Sequence, residues 1–72
     1  MKELFDGLRL NGAKLQRERA KRKISQTALA EKLNYSGPTT VFRWESGEVV
    51  PDDDLVRRIA GALGCAPGEI CD

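Results

Sequence analysis

Histidine is absent from all 72 residues. The commonest general base, the Ser-His and Cys-His dyads and the usual imidazole metal ligands are therefore missing together. No other nucleophile and base converge in the sequence, so an enzyme is not expected, and neither is a metal or a cofactor. The two cysteines, Cys65 and Cys71, are too few for a tetrahedral zinc site, and a disulfide across so short a span would staple only the tail. Cys65 is expected as a small core residue and Cys71 as an exposed free thiol. No apolar run approaches the roughly 20 residues of a membrane span. The start, Met1-Lys2-Glu3-Leu4-Phe5-Asp6, also lacks the apolar centre of a signal peptide. A cytoplasmic protein with no membrane partner is the expectation.

What is present is a single small unit, since 72 residues is about half the length usually allotted to one domain. With 40% hydrophobic and 32% charged residues, the chain suits a soluble globule rather than a disordered segment. The net charge is only +1 and by itself points to no anionic partner, but its distribution is uneven. Between Arg9 and Lys23, seven cations face the single acid Glu18. From Glu45 to Asp72, seven acids face only Arg57 and Arg58. One positive end suited to nucleic acid or acidic lipid follows, although a merely solvated basic helix explains the charges equally well.

Apolar spacings of three and four dominate, and no alternating run suggests a strand. A first helix is expected over residues 11–22, with Leu15, Arg19, Ala20 and Ile24 sharing a face; Leu4, Phe5 and Leu8 extend the apolar pattern towards an earlier start. Ser25 is a good N-cap for a second helix whose Leu29, Ala30 and Leu33 point inward. The stretch Asn34-Tyr35-Ser36-Gly37-Pro38 is turn chemistry, and Pro38 fits the first turn of a third helix over residues 38–46. There Val41, Trp44 and Glu45 point inward while Thr39, Thr40 and Arg43 line the opposite side. Gly47 caps its end. Asp52, Asp53 and Asp54 start a fourth helix with a core stripe of Leu55, Ile59, Ala60 and Leu63, and Gly64 ends it. Pro67-Gly68-Glu69-Ile70 reads as a last half-turn laying Ile70 over the core.

Taken in order, Leu15-x3-Arg19, Ile24-Ser25-Gln26-x2-Leu29-Ala30-x2-Leu33, Val41-x2-Trp44-Glu45-x-Gly47, Pro51 and Ala62-Leu63-Gly64 resemble a known pattern. It is that of the Cro and lambdoid-repressor type of helix-turn-helix domain, the XRE family, and it runs from about Gly12 to Ile70. The resemblance implies an all-α compact bundle of four to five short helices, residues 1–72 forming one DNA-binding domain with the motif at about 25–46. It further implies a transcriptional regulator, a repressor, of bacterial or phage origin. Double-stranded DNA is the implied partner, read in the major groove by the third helix. One module touches few phosphates, so a homodimer on half-sites about 34 Å apart is expected. Leu4, Phe5, Val49, Val50 and Ile70 are its candidate contacts.

By the same resemblance, base contacts fall to Thr39, Thr40 and Arg43, with Arg43 forking onto guanine O6 and N7. Phosphate contacts fall to Ser25, Gln26, Ser36 and Lys14, with Ser25 and the free amides behind it cradling one oxygen. Arg19 and Glu45 are carried over as an ion pair across the core, structural rather than DNA-contacting. Phe42 stands where relatives often have a small polar residue, and it either touches thymine methyls or packs on Tyr35. Trp44 is core. Two departures stand out. The turn is one residue longer than the family's usual spacing, the extra one lying within Ser36-Gly37-Pro38, and the loop Glu48-Val49-Val50 lacks basic residues. They leave open a second reading, an antitoxin-like protein-interaction module that keeps the fold without reading the groove.

Overall fold

The computed structural model describes residues 7–72. Four helices, α1 (Gly12–Lys21), α2 (Gln26–Lys32), α3 (Thr39–Ser46) and α4 (Asp53–Leu63), are followed by a 3-10 turn, Pro67–Ile70. Three of the starts have a side-chain cap that satisfies an otherwise free amide. Asn11 accepts the Lys14 N–H at 3.0 Å, Ser25 Oγ the Ala28 N–H at 3.0 Å, and Asp52 the Leu55 N–H at 2.9 Å. Asp53 and Asp54 add negative charge at the positive end of α4. α3 instead begins behind Pro38, whose ring presets a helical φ. The stops are left-handed residues: Lys23, Asn34, Gly47 and Gly64 have φ of 56°, 67°, 83° and 82°. Lys23 was not foreseen, because nothing in a lysine advertises that conformation.

α1 starts at Gly12, so Leu8 lies in the segment before it; Leu4 and Phe5 fall outside the described residues. That segment is tied to the other end of the chain. Leu10 and Cys71 form an isolated antiparallel bridge, with Asn11 N–H donating to Ile70 O at 2.8 Å and Asp72 N–H to Arg9 O at 3.0 Å. This pairing corrects the expectation for Cys71, which is only 3% exposed. Burial pushes its thiol pKa up. Cys65 is half-buried.

The core draws on every element: Leu15 from α1, Leu29 and Ala30 from α2, Val41 and Trp44 from α3, Val56 and Ile59 from α4, and Ile70 from the 3-10 turn. Each large apolar side chain buried this way stabilises by about 1.5–3 kcal/mol. Two of the expected inward stripes shift. On α4, Val56 is fully buried and Leu55 only partly. On α1, Ala20 is exposed. It lies about 140° around the helix from Leu15, whereas Glu18 and Arg19, three and four residues on, lie within about 60° of it. Ile70 is fully buried and so is not a surface for a second copy. Among the described residues, no helix is long and apolar enough to cross a membrane.

Candidate functional site

At about 100° per residue, α3 has two unlike sides. Val41 and Trp44 face the core at 0% and 2% exposure. The Tyr35 ring meets Trp44 edge-on, with centroids 5.7 Å apart. Thr39, Phe42, Arg43 and Ser46 are exposed on the other side. One residue departs from expectation here, and one of the two readings open for Phe42 closes. Thr40 is half-buried on the flank, about 100° from Thr39, rather than on the outward face. Phe42 does not use Tyr35 as a partner: it is 55% exposed, while Tyr35 packs on Trp44.

A polar network holds the inward side of α3 to α1 and α2. Arg19 Nε donates to Glu45 Oε2 at 2.7 Å and its Nη2 to Oε1 at 3.2 Å, a bidentate contact. Its remaining nitrogen, Nη1, donates to Ile24 O at 2.9 Å. Gln26 Nε2 donates to Glu45 Oε1 at 3.0 Å. The side chains of Arg19 and Glu45 are 14% and 6% exposed, so each charge depends on the other for its solvation. Close approach of the backbones completes the joint. A Cβ on Gly12 would stand 2.2 Å from Glu45 O and 2.9 Å from Trp44 O. The first turn of α1 therefore rests directly on the last turn of α3.

The residues matched to phosphate contact do not all gather at one place. Ser25 and Ser36 are exposed on either side of α2 in the chain. Ser25 Oγ serves as acceptor in the cap, which leaves its O–H free to donate. Gln26 gives one N–H of its amide to Glu45 and retains the second N–H, a donor, and its carbonyl oxygen, an acceptor. Lys14 is elsewhere: its Nζ donates to Cys71 O at 2.8 Å, near the chain terminus and at the end of α1 away from α2.

A second charged cluster was not read from the sequence. Glu18 is 1% exposed and carries Arg22 at 2.5 Å, Lys21 at 3.2 Å and Arg17 at 3.6 Å. The hydrogen bond from Arg22 holds its carboxyl below the usual range, against the opposing effect of burial. The spacing of Lys21 and Arg22, at i+3 and i+4, was the available signal. On the outward side of α3, Arg43 Nε lies 3.7 Å from Glu48 Oε2, with both side chains more than half exposed.

A family model described as helix-turn-helix matches residues 15–70. Among solved structures, the chain is similar to the P22 c2 repressor in complex with a synthetic operator. The identity is 28% over 88% of this chain and 94% of that one, with a TM-score of 0.75. It is also similar to FeII HppE in complex with substrate, at 31% identity over 85% of this chain and a TM-score of 0.72. There the match spans only 35% of the HppE chain, so it carries fold and no activity. Among curated proteins, nothing matches.

Proposed function

Because the chain belongs to the Cro/C1-type helix-turn-helix family, we propose that it is a sequence-specific DNA-binding transcriptional regulator. Its role is that of a repressor that binds a palindromic operator as a homodimer. One observation carries the reading: α3 exposes Thr39 and Arg43 to solvent while its opposite side is pinned to α1 and α2 by Trp44 and the Arg19–Glu45–Gln26 network. A rod held that way is suited to enter a major groove without reorganising. The similarity to a repressor in complex with an operator supports it independently.

In this reading Arg43 forks onto a guanine, Thr39 bonds a neighbouring base edge, and the half-buried Thr40 reaches the groove wall. Ser25 donates its free O–H to a phosphate, Ser36 binds a second, and Gln26 supports the interface by holding Glu45. Lys14, engaged by the Cys71 carbonyl, leaves the phosphate set. Lys23, exposed two residues before Ser25, takes that role. Two copies give enough phosphate contacts for useful affinity, and Val49 and Val50 stay available for their contact because both are exposed.

Selection from random duplexes with the purified chain, followed by salt titration of the recovered sites, tests the proposal. A palindrome and an affinity that falls with salt are expected; binding indifferent to sequence and salt ends it. Arg43→Ala should relax preference at one position of each half-site by about 1–3 kcal/mol. A second reading, a protein-interaction module, is favoured by Glu48 beside Arg43, which sets an acid on the face that would meet phosphates. A partner binder keeps its complex when Arg43 is replaced.

A further inference from the structure

We propose that Phe42 is a specificity-determining residue that reads the C5-methyl group of a thymine, an inference that rests on α3 entering the major groove. A single exposed apolar side chain needs no explanation, so exposure alone does not carry the point. Position does. Phe42 lies about 60° around α3 from both Thr39 and the inward-facing Glu45, on the opposite flank of Thr39 from Arg43. The ring is 55% exposed, and the Tyr35 ring meets Trp44 at 5.7 Å rather than packing on it. A helix docked through Thr39 and Arg43 brings this ring to the groove.

A phenyl ring offers no hydrogen bond to a base edge. The one apolar group that a base pair displays in the major groove is the thymine methyl, and contact with it is the way an aromatic side chain distinguishes bases there. Phe42 and Arg43 diverge by about 100°, which at a helix radius of about 6 Å sets their tips about 9 Å apart. That is about three steps along a strand. The half-site should therefore hold a thymine within about three positions of the guanine taken by Arg43.

The test uses the duplex recovered by selection and a copy in which that thymine is replaced by deoxyuridine, removing one methyl and nothing else. The intact protein should bind the uracil duplex about four-fold more weakly, the effect of one buried methyl. Phe42→Ala should bind the two duplexes alike, and it should fold, because the ring contributes little to the core; far-UV circular dichroism checks this. Equal binding of the two duplexes by the intact protein overturns the inference whatever the variant does. A four-fold difference that survives in Phe42→Ala overturns it as well. In both cases the guanine contact stands and the proposed function with it. Recovery of no preferred duplex removes both.

Discussion

Gly12→Ala is the substitution on which intuition and structure disagree most sharply. Gly12 is the first residue of α1 and has a backbone that alanine adopts freely. By helix propensity alone, alanine there stabilises by about 0.4–1 kcal/mol. The structure opposes this, since the new methyl would lie 2.2 Å from Glu45 O, 2.7 Å from Glu45 C and 2.9 Å from Trp44 O. Ordinary contact needs about 3.5 Å, so α1 and α3 must separate by about 1 Å. The obstructing atoms are backbone and have no rotamer to change. α3 is also tethered by Trp44 and the Glu45 carboxylate, which puts the cost at the upper end of the about 1–3 kcal/mol typical of overpacking. The net loss is about 2 kcal/mol. With a urea slope of about 1 kcal/mol/M for so small a domain, the midpoint falls by about 2 M. Fluorescence of Trp44, the sole tryptophan and 2% exposed, follows the transition. Gly61→Ala in α4 is the control, because its methyl meets nothing within 4 Å and should raise the midpoint. A Gly12→Ala midpoint equal to or above that of the parent refutes the reasoning.

Three further outcomes follow from the charged and thiol groups. Arg19→Ala and Glu45→Ala should each lose about 3 kcal/mol, because either leaves a largely buried charge without its partner; the double variant should cost much less than the sum, and additive losses in urea titrations would exclude a working pair. The Glu18 carboxyl is held low in the folded state, chiefly by Arg22, so the folded chain binds fewer protons than the unfolded one. Its contribution is complete above the ordinary glutamate pKa and disappears as pH falls through the lower folded value. Melting temperatures from pH 7 to pH 2.5 should drop less steeply in Glu18→Gln, and parallel acid limbs would count against it. Cys71, buried and with its thiol pKa raised by burial, should resist iodoacetamide until the chain unfolds, while half-buried Cys65 reacts first. Equal labelling rates by mass spectrometry would contradict the bridge that covers Cys71.

Elements were legible where one residue type solves one local problem. Ser25 and Asp52 satisfy free amides at helix starts, and Gly47 and Gly64 tolerate left-handed backbone at helix ends. Those signals are local in the chain and do not depend on what packs where. Cys71 was misjudged because its burial depends on Leu10, 61 residues away, and a pairing of one residue with one residue has no periodicity to detect. The choice of Val56 over Leu55 was lost for a related reason. Both are apolar and adjacent, and only the azimuth at which α4 meets α2 and the 3-10 turn decides between them.

α1 shows the deeper limit. Its inward stripe is Leu15 flanked by Glu18 and Arg19, one hydrocarbon and two charges, so a search for apolar spacing selects Ala20, which faces water. The charges are admissible there because each finds an opposite charge: Arg19 crosses to Glu45 on α3, and Glu18 takes Lys21 from its own helix and Arg22 from the C-cap that follows it. A helix that packs this way contributes a single buried leucine to the core, and its position depends on geometry that propensity does not encode. The Arg19 fork and the bare Cα of Gly12 supply that geometry from opposite ends of α1, and both act on the last turn of α3 through Glu45. The orientation of the outward face, Arg43 and Phe42 included, is therefore set from behind, by residues that need never touch DNA.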